Sequence, residues 1–307
     1  MSPVAARGRR RRMRRPAGGG VQAALSEAMV DRLMWRTGFG PGESDRRRLR
    51  GLSLHAAVDR LMRAPQGPPQ GPAAVRRDGG PLRPHESDVD LVLDWCDRMI
   101  RTRNPLVERL TLFWHRHFAT SRNEVSPPQL MTQQNELFRR YADLAAFPTS
   151  NMRTLAYEVG EGPAVLRFLT GEDSTARRLN ENYARELMEL FCLGVTDAAG
   201  RPNYSEADVR EAARAATGWR IDDANPDAPR AWFDPTRFDA AAKTVLGRTG
   251  AFGHRELVDV VLAHPSHAPF LVAKLWGEFI PDPPDPATLR DLARRYVREG
   301  LRLRPLV

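Results

Sequence analysis

Asn180-Glu181-Asn182-Tyr183-Ala184-Arg185-Glu186-Leu187-Met188-Glu189-Leu190-Phe191-Cys192-Leu193-Gly194 reads as one amphipathic helix with its own start and stop. Asn180 supplies an N-cap side chain, Glu181 suits the positive end of the helix dipole, and Gly194 supplies a left-handed stop. At the helical period Tyr183, Leu187, Leu190 and Phe191 share one face, and Asn182, Glu186 and Glu189 share another. Glu181 with Arg185, and Arg185 with Glu189, have the i,i+4 spacing of surface ion pairs. The polar face has three readings. It is a solvated face laced with ion pairs, a buried network joining helices, or a site where Glu186 and Glu189 serve as ligands or general acid and base, with Asn182 beside them and Arg185 clamping an anionic substrate. The i,i+3 carboxylates match part of a bundle metal site, but the second position of Glu186-Leu187-Met188-Glu189 is Glu and not the His of the di-iron pattern.

Outward from this segment, the same period recurs. Val30, Leu33 and Met34 open a short helix before the turn Gly38-Phe39-Gly40-Pro41-Gly42, and a helix covers 52–63 with Leu54, Val58, Leu61 and Met62 on one side. Residues 64–86 are rich in Pro and Gly and read as a flexible loop. Leu91, Trp95 and Met99 carry the next helix. Asn104-Pro105 starts another through about Thr120. Helices over 131–146 and 152–169 follow, the second broken at Gly160-Glu161-Gly162-Pro163. Ser205 and Asp208 form a capping box for a helix to about Thr217. Ser266 caps a strong apolar helix containing Phe270, Leu271, Leu275, Trp276, Phe279 and Ile280, and a helix-like stretch covers 288–301. With no sustained alternation and no βαβ rhythm, the fold class is all-α: an irregular multi-helix bundle with long loops. Residues 221–253 form an irregular segment or a small β-hairpin insertion, and residues 23–307 form one domain.

The net charge of +9 is concentrated at one end. Residues 7–15 hold seven Arg, and subtracting those seven from +9 leaves +2 for the rest. Residues 1–22 read as a disordered Arg-rich tail, as an export signal lacking its apolar region, or as a non-specific polyanion contact acting by counterion release. No run of about 18 apolar residues exists, which excludes a membrane-spanning helix. Cys96 and Cys192 carry no framework or zinc spacing, fit a reducing compartment and default to core packing.

Four further residues bear on chemistry. His115 and His117 cannot grip one ion from a helix, because they point about 200° apart. His117 falls on the apolar face with Leu106, Leu110 and Phe113. Each His is a buried or interhelical hydrogen-bonding residue, a general acid or base, or a ligand for a divalent metal shared with a carboxylate of another helix. Arg36, beside its glycines, is a counter-charge for an anionic ligand or part of a tight turn pinned by Phe39. Trp114, Trp219 and Trp276 anchor the core through the indole, and Trp219 is also a substrate-binding candidate. No serine-hydrolase, zincin or nucleotide-loop motif is present.

Arg36-Thr37-Gly38-Phe39-Gly40-Pro41, Leu112 through Phe118, Asn180 through Gly194, Tyr204 through Trp219, and His264-Pro265 with Lys274-Leu275-Trp276 occur in this order. Together they resemble an uncharacterised bacterial family, domain of unknown function 1800. The resemblance implies no reaction. It implies relatives that are longer, often exported, and accompanied by a sulfatase-like companion family. On that comparison this chain reads as truncated at its C-terminus, and its unrecognisable export signal makes it cytoplasmic. The function classes left are a scaffold or interaction protein, a metal- or carboxylate-assisted hydrolase with its site between the 104–120 and 180–193 helices, and an anionic-polymer binder acting through the Arg tail.

Overall fold

The computed structural model describes residues 23–63, 67–225 and 229–307, so the Arg run of 7–15 lies outside the described residues. Thirteen α-helices among them are α1 (Glu27–Thr37), α2 (Glu43–Leu49), α3 (Leu54–Met62), α4 (Asp88–Arg101), α5 (Pro105–His117), α6 (Pro128–Ala142), α7 (Met152–Gly160), α8 (Pro163–Phe168), α9 (Asn182–Glu186), α10 (Glu206–Ala215), α11 (His254–Leu262), α12 (His267–Phe279) and α13 (Pro286–Arg298). A π-helix, Leu187–Leu193, continues α9.

The class is mostly helical, as expected, and the insertion read over 221–253 holds two small ribbons among the described residues rather than one hairpin. Two antiparallel ribbons are present, β1 (Trp219–Asp222) with β2 (Arg230–Phe233), and β3 (Lys243–Val245) with β4 (Arg248–Gly250). Strands of three or four residues are too short to write a two-residue alternation into the sequence. The second ribbon is held by side chains of α10: Asp208 accepts from the Leu246 amide and Glu211 from the Thr244 amide, while Arg214 pairs with Asp239.

The signals at helix ends mostly act as read. Ser205 and Asp208 form the capping box of α10, and Pro105 stands at the first turn of α5. Ser266 makes no side-chain cap bond; its hydroxyl donates to Asn203 instead. In α3 the buried pair is Ala57 and Leu61, and Leu54 is exposed. Helix α2 was not anticipated.

The core centres on α5 and α6, where the rings of Phe118 and Phe138 stack at 5.9 Å, and it extends through the π-helix to α12 and α13. Trp114 is buried in it as expected. Beneath α4 a buried pair ties three helices: Arg139 of α6 donates to both Glu108 oxygens (2.6 and 3.2 Å), and the Trp95 indole of α4 donates to Glu108 at 3.2 Å. Glu278 of α12 takes Arg109 and Arg116 of α5.

The described part of the 64–86 loop is irregular, as read, but it is tied to α4. The Ala74 amide donates to Asp97 at 3.1 Å, the Arg83 amide to Asp90 at 2.9 Å, and Arg76 pairs with Asp90. The Gln70 amide donates to the Arg101 carbonyl, and Arg101 to the Gly71 carbonyl. A loop with few apolar side chains needs polar partners for its backbone, and the acidic face of α4 supplies them.

Candidate functional site

The 180–194 segment starts and stops much as read, but its middle does not. The Asn180 side chain accepts from the Asn182 amide at 2.9 Å, and the regular ladder begins with the Arg185 amide on the Glu181 carbonyl. From Leu187 the chain adopts i→i+5 bonding, the last being the Gly194 amide to the Glu189 carbonyl at 3.1 Å. Gly194 at φ 77 then ends it in the left-handed region. A π-turn advances each residue by less than 100°, so the faces drift. Tyr183, Leu187 and Phe191 are buried as expected, whereas Leu190 is exposed and Met188 and Cys192 take its place in the core.

The polar face is divided. Arg185 is engaged by Glu206 (2.8 and 2.9 Å) and Glu181 (3.4 Å), so only the first of the two expected i,i+4 pairs forms. Glu189 accepts from the Tyr204 hydroxyl at 3.3 Å, and Asn182 is exposed. Glu186 is half-buried, with one carboxylate oxygen fully enclosed and unpartnered. Burial first, and the like charge of Glu189 second, raise its pKa, partly offset by Arg185.

His115 and His117 part ways. His115 packs edge-on to Trp95 at 5.1 Å, in a small cleft between α4, α5 and α6, and burial lowers its pKa. His117 is enclosed by Phe113, Trp114, Phe118 and Phe191, with ring centroids 4.6–6.3 Å away. Burial, with the nearby charge of Lys274, pushes its pKa well down, so the ring is neutral. Aromatic rings fill the space between α5 and the π-helix, including Phe118 against Phe191 at 5.1 Å. The two histidines and the two glutamates are not brought together there. Among the described residues, no three His, Cys, Asp or Glu side chains are grouped as a metal-ligand set.

A polar chain that the sequence reading missed runs through α7, α9 and α11. The Tyr183 hydroxyl meets His254 Nε2 at 2.6 Å, and His254 Nδ1 meets Glu161 at 3.3 Å. Arg255 grips Glu161 with two bonds of 2.7 Å. Burial acts to raise the Glu161 carboxyl, but the hydrogen bonds from Arg255 and His254 outweigh it and hold the pKa at about 2. The ionised carboxylate accepts from His254 Nδ1, and the opposite ring nitrogen, Nε2, is hydrogen-bonded with the Tyr183 hydroxyl. Carboxylate, imidazole and hydroxyl stand in the order of a catalytic relay. Tyr183 and His254 are each only 6% exposed, so the pair is largely closed to solvent. The signal available in sequence was Gly160, whose Cα lies where the Tyr183–His254 contact crosses the end of α7.

Trp219 is half-buried, edge-on to His254 and to Phe233. Trp276 is also half-buried, its indole donating to the Asp282 carbonyl. Arg36 lies beside its glycine turn, in the last turn of α1. The turn is pinned by Trp35 over Gly40 and by Pro105 against Gly38, rather than by Phe39, and Arg36 lines an apolar pocket.

The largest departure from an ordinary surface is α4. Its exposed side chains are Val89, Val92, Leu93, Cys96 and Ile100, all apolar, while Asp90, Asp94, Asp97, Arg98 and Arg101 are buried or half-buried. Cys96 is therefore exposed, contrary to the core role expected of it; Cys192 is buried. The stripe runs into a groove of about 1200 Å³ lined by Trp35, Phe39, Cys96, Met99 and Ile100 and also by Glu43, Asp45, Arg48, Arg101 and Arg103.

No helix among the described residues is long and apolar enough to cross a membrane. Comparison with curated proteins and with solved structures gives no match. Residues 32–307 match the family model described as "Protein of unknown function (DUF1800)". The match spans nearly the whole chain, the aromatic α5 segment, the π-helix and the capping box of α10 all lie within it, and the chain belongs to this family.

Proposed function

We propose that this protein is an interaction scaffold that assembles through the outward face of α4, with a second copy of the chain as the occupant of that face. The observation that carries the reading is the inversion of α4, whose exposed side chains are all apolar. Val89, Val92, Leu93, Cys96, Met99 and Ile100 fall on positions a, d and e of two successive heptads, the spacing of a helix that packs on another helix. Val89 is 65% exposed, Ile100 81% and Trp35 63%. With Val92 and Leu93 these side chains leave roughly 500–600 Å² of apolar surface in water, at the top of the range for a monomer and a large part of the ~800 Å² per partner that a stable interface needs.

A second copy suits the face in charge as well as shape. Asp94 pairs with Arg98 at 2.9 Å and Asp97 with Arg101 at 2.5 Å, so each α4 brings neutralised flanks to a twofold contact. Such a contact is isologous, and Cys96 near the middle of the helix then faces its own symmetry mate. The test is a short bis-maleimide added to the untagged chain at micromolar concentration. Cys192 is buried, so only Cys96 reacts. The expected product is a covalent dimer, lost in Cys96→Ser and in Val92→Glu. Only singly labelled monomer would refute the twofold contact.

A second reading rests on Glu186. A half-buried carboxyl with an unpartnered oxygen and a raised pKa, beside a second carboxylate, has the signature of a general acid. It supports the carboxylate-assisted hydrolase. Glu186→Gln would abolish turnover of a hydrolysable substrate under that reading, and would leave crosslinking unchanged under the first.

A further inference from the structure

The cleft between α4, α5 and α6, of about 120 Å³, has apolar walls from Leu91, Trp95 and Met131, and His115 lines it as a polar group. The Trp95 and His115 rings stand 5.1 Å apart at 81°, so a third ring parallel to either is edge-on to the other, and both arrangements are favourable. His115 makes no hydrogen bond or ion pair with a described residue, and its ring nitrogens are not sealed from solvent. The charged groups of the lining are already paired: Asp94 and Glu136 with Arg98, each at 2.9 Å, and Arg122 with Asp88 at 3.4 Å. The Trp95 indole is spent on Glu108 at 3.2 Å. Two further atoms of lining residues, Thr120 Oγ1 and Asn135 Nδ2, are enclosed without a hydrogen-bond partner. Asn135 Oδ1 accepts at 2.6 Å from Arg139, which lies outside the lining, so the nitrogen is the free end of that amide.

We infer that this cleft binds a neutral, single-ring aromatic alcohol of the phenol class, its ring in the corner made by Trp95 and His115 and its hydroxyl bonded to the His115 imidazole. Two rings at a right angle, with the polarizable thioether of Met131, select an aromatic ligand. An apolar cavity of ~150 Å³ takes benzene, so the volume matches one ring. Neutrality follows from the pairing of the charges. An anion would meet two carboxylates and no free cation, and a cation would have to displace Arg98. Burial keeps the His115 imidazole neutral, so it presents one N–H donor and one bare nitrogen acceptor, the complement of a hydroxyl. The Thr120 hydroxyl and the Asn135 nitrogen add hydrogen-bonding capacity that a plain hydrocarbon would leave unused. The site does not rest on self-assembly: Val92 belongs both to the cleft and to the outward face of α4, but Ile100 lies outside the lining.

The test is titration calorimetry on the whole chain at pH 7, with phenol, toluene, benzoate and benzylamine as probes. A hydroxyl buried without a partner weakens binding about tenfold or more against the parent hydrocarbon, so a cleft that is only apolar prefers toluene. Here phenol binds at least as tightly as toluene, and benzoate and benzylamine bind about tenfold or more weakly than phenol. His115→Phe keeps the ring wall and removes the nitrogens. It weakens phenol about tenfold or more and changes toluene less than twofold, with a thermal melt confirming that the variant is folded. If His115→Phe does not fold, the order of the four probes on the parent decides. Absence of saturable phenol binding, a preference for toluene, or phenol binding indifferent to His115→Phe overturns the assignment. The same titration on Ile100→Glu reads the site without the twofold contact, and equal phenol binding there supports the assignment whether or not the chain dimerises.

Discussion

Gly160→Ala replaces a hydrogen with a methyl at the end of α7, and on helix propensity alone it should stabilise by up to ~1 kcal/mol. The structure requires the opposite. A Cβ built at Gly160 lies 2.1 Å from the Tyr183 hydroxyl and 2.3 Å from His254 Nε2. Those atoms are themselves bonded at 2.6 Å, in side chains only 6% exposed. To restore ordinary contact both must retreat by more than 1 Å, which breaks the hydrogen bond and strands two buried polar groups. Leaving buried groups unpaired costs about 1–3 kcal/mol, and overpacking costs a similar ~1–3 kcal/mol. Less the propensity gain, the net loss is ~1–5 kcal/mol, readable as a lower urea midpoint at unchanged slope. In a Tyr183→Phe background the hydroxyl is gone, so the same substitution should cost at least ~1 kcal/mol less. A Gly160→Ala protein as stable as the parent, or one equally destabilised in both backgrounds, would refute the reasoning.

Three further outcomes follow from the polar networks. Glu186 has a raised pKa in the folded state, so ionising it opposes folding, and stability falls as pH rises above the ordinary carboxylate value of ~4.3. Glu186→Gln should therefore raise the thermal midpoint at pH 7 and leave it unchanged near pH 3; no gain at pH 7 would contradict this. Glu161 is the opposite case, with a folded pKa of about 2, so its contribution is present above ~4.3 and is lost as pH falls toward 2. Arg255→Ala should lower the thermal midpoint at pH 6, with the difference shrinking by pH 2.5; a constant difference would assign the effect to packing. Glu108→Ala leaves Arg139 as a buried cation without its main partner, and should cost ~3–5 kcal/mol in urea unfolding, whereas a loss under 1 kcal/mol would mean that water already reaches the pair.

Much of the helical order was legible because local rules dominate there. Proline at the first turn of α5, the capping box of α10 and the break between α7 and α8 each act within a few residues. What was illegible depends on partners distant in sequence. The π-helix needs a core that rewards burying Met188 and Cys192 over Leu190. The ribbons are too short to announce themselves and are held by α10 side chains. Helix α4 has a strong apolar stripe, and amphipathicity alone assigns that stripe to the core. Leu91, Trp95 and Met99, from which the helix was read, are half-buried, while the stripe of Val89, Val92, Leu93, Cys96 and Ile100 stays outward and the 67–87 backbone takes the acidic face, which composition does not reveal. Of the candidate site, the sequence identified Glu186, His115 and Arg36 as residues in unusual surroundings. It could not say that they lie in three different places, nor that Tyr183, His254 and Glu161 form one chain.

The most direct test of the scaffold reading is the mass of the untagged chain by sedimentation equilibrium, compared with Ile100→Glu. A charge at the most exposed position of α4 places like charges face to face across a twofold contact without touching the core. The account predicts twice the 34.5 kDa chain mass for the parent at micromolar concentration and a folded 34.5 kDa monomer for the variant. A monomeric parent, or a dimer that survives Ile100→Glu, would contradict it.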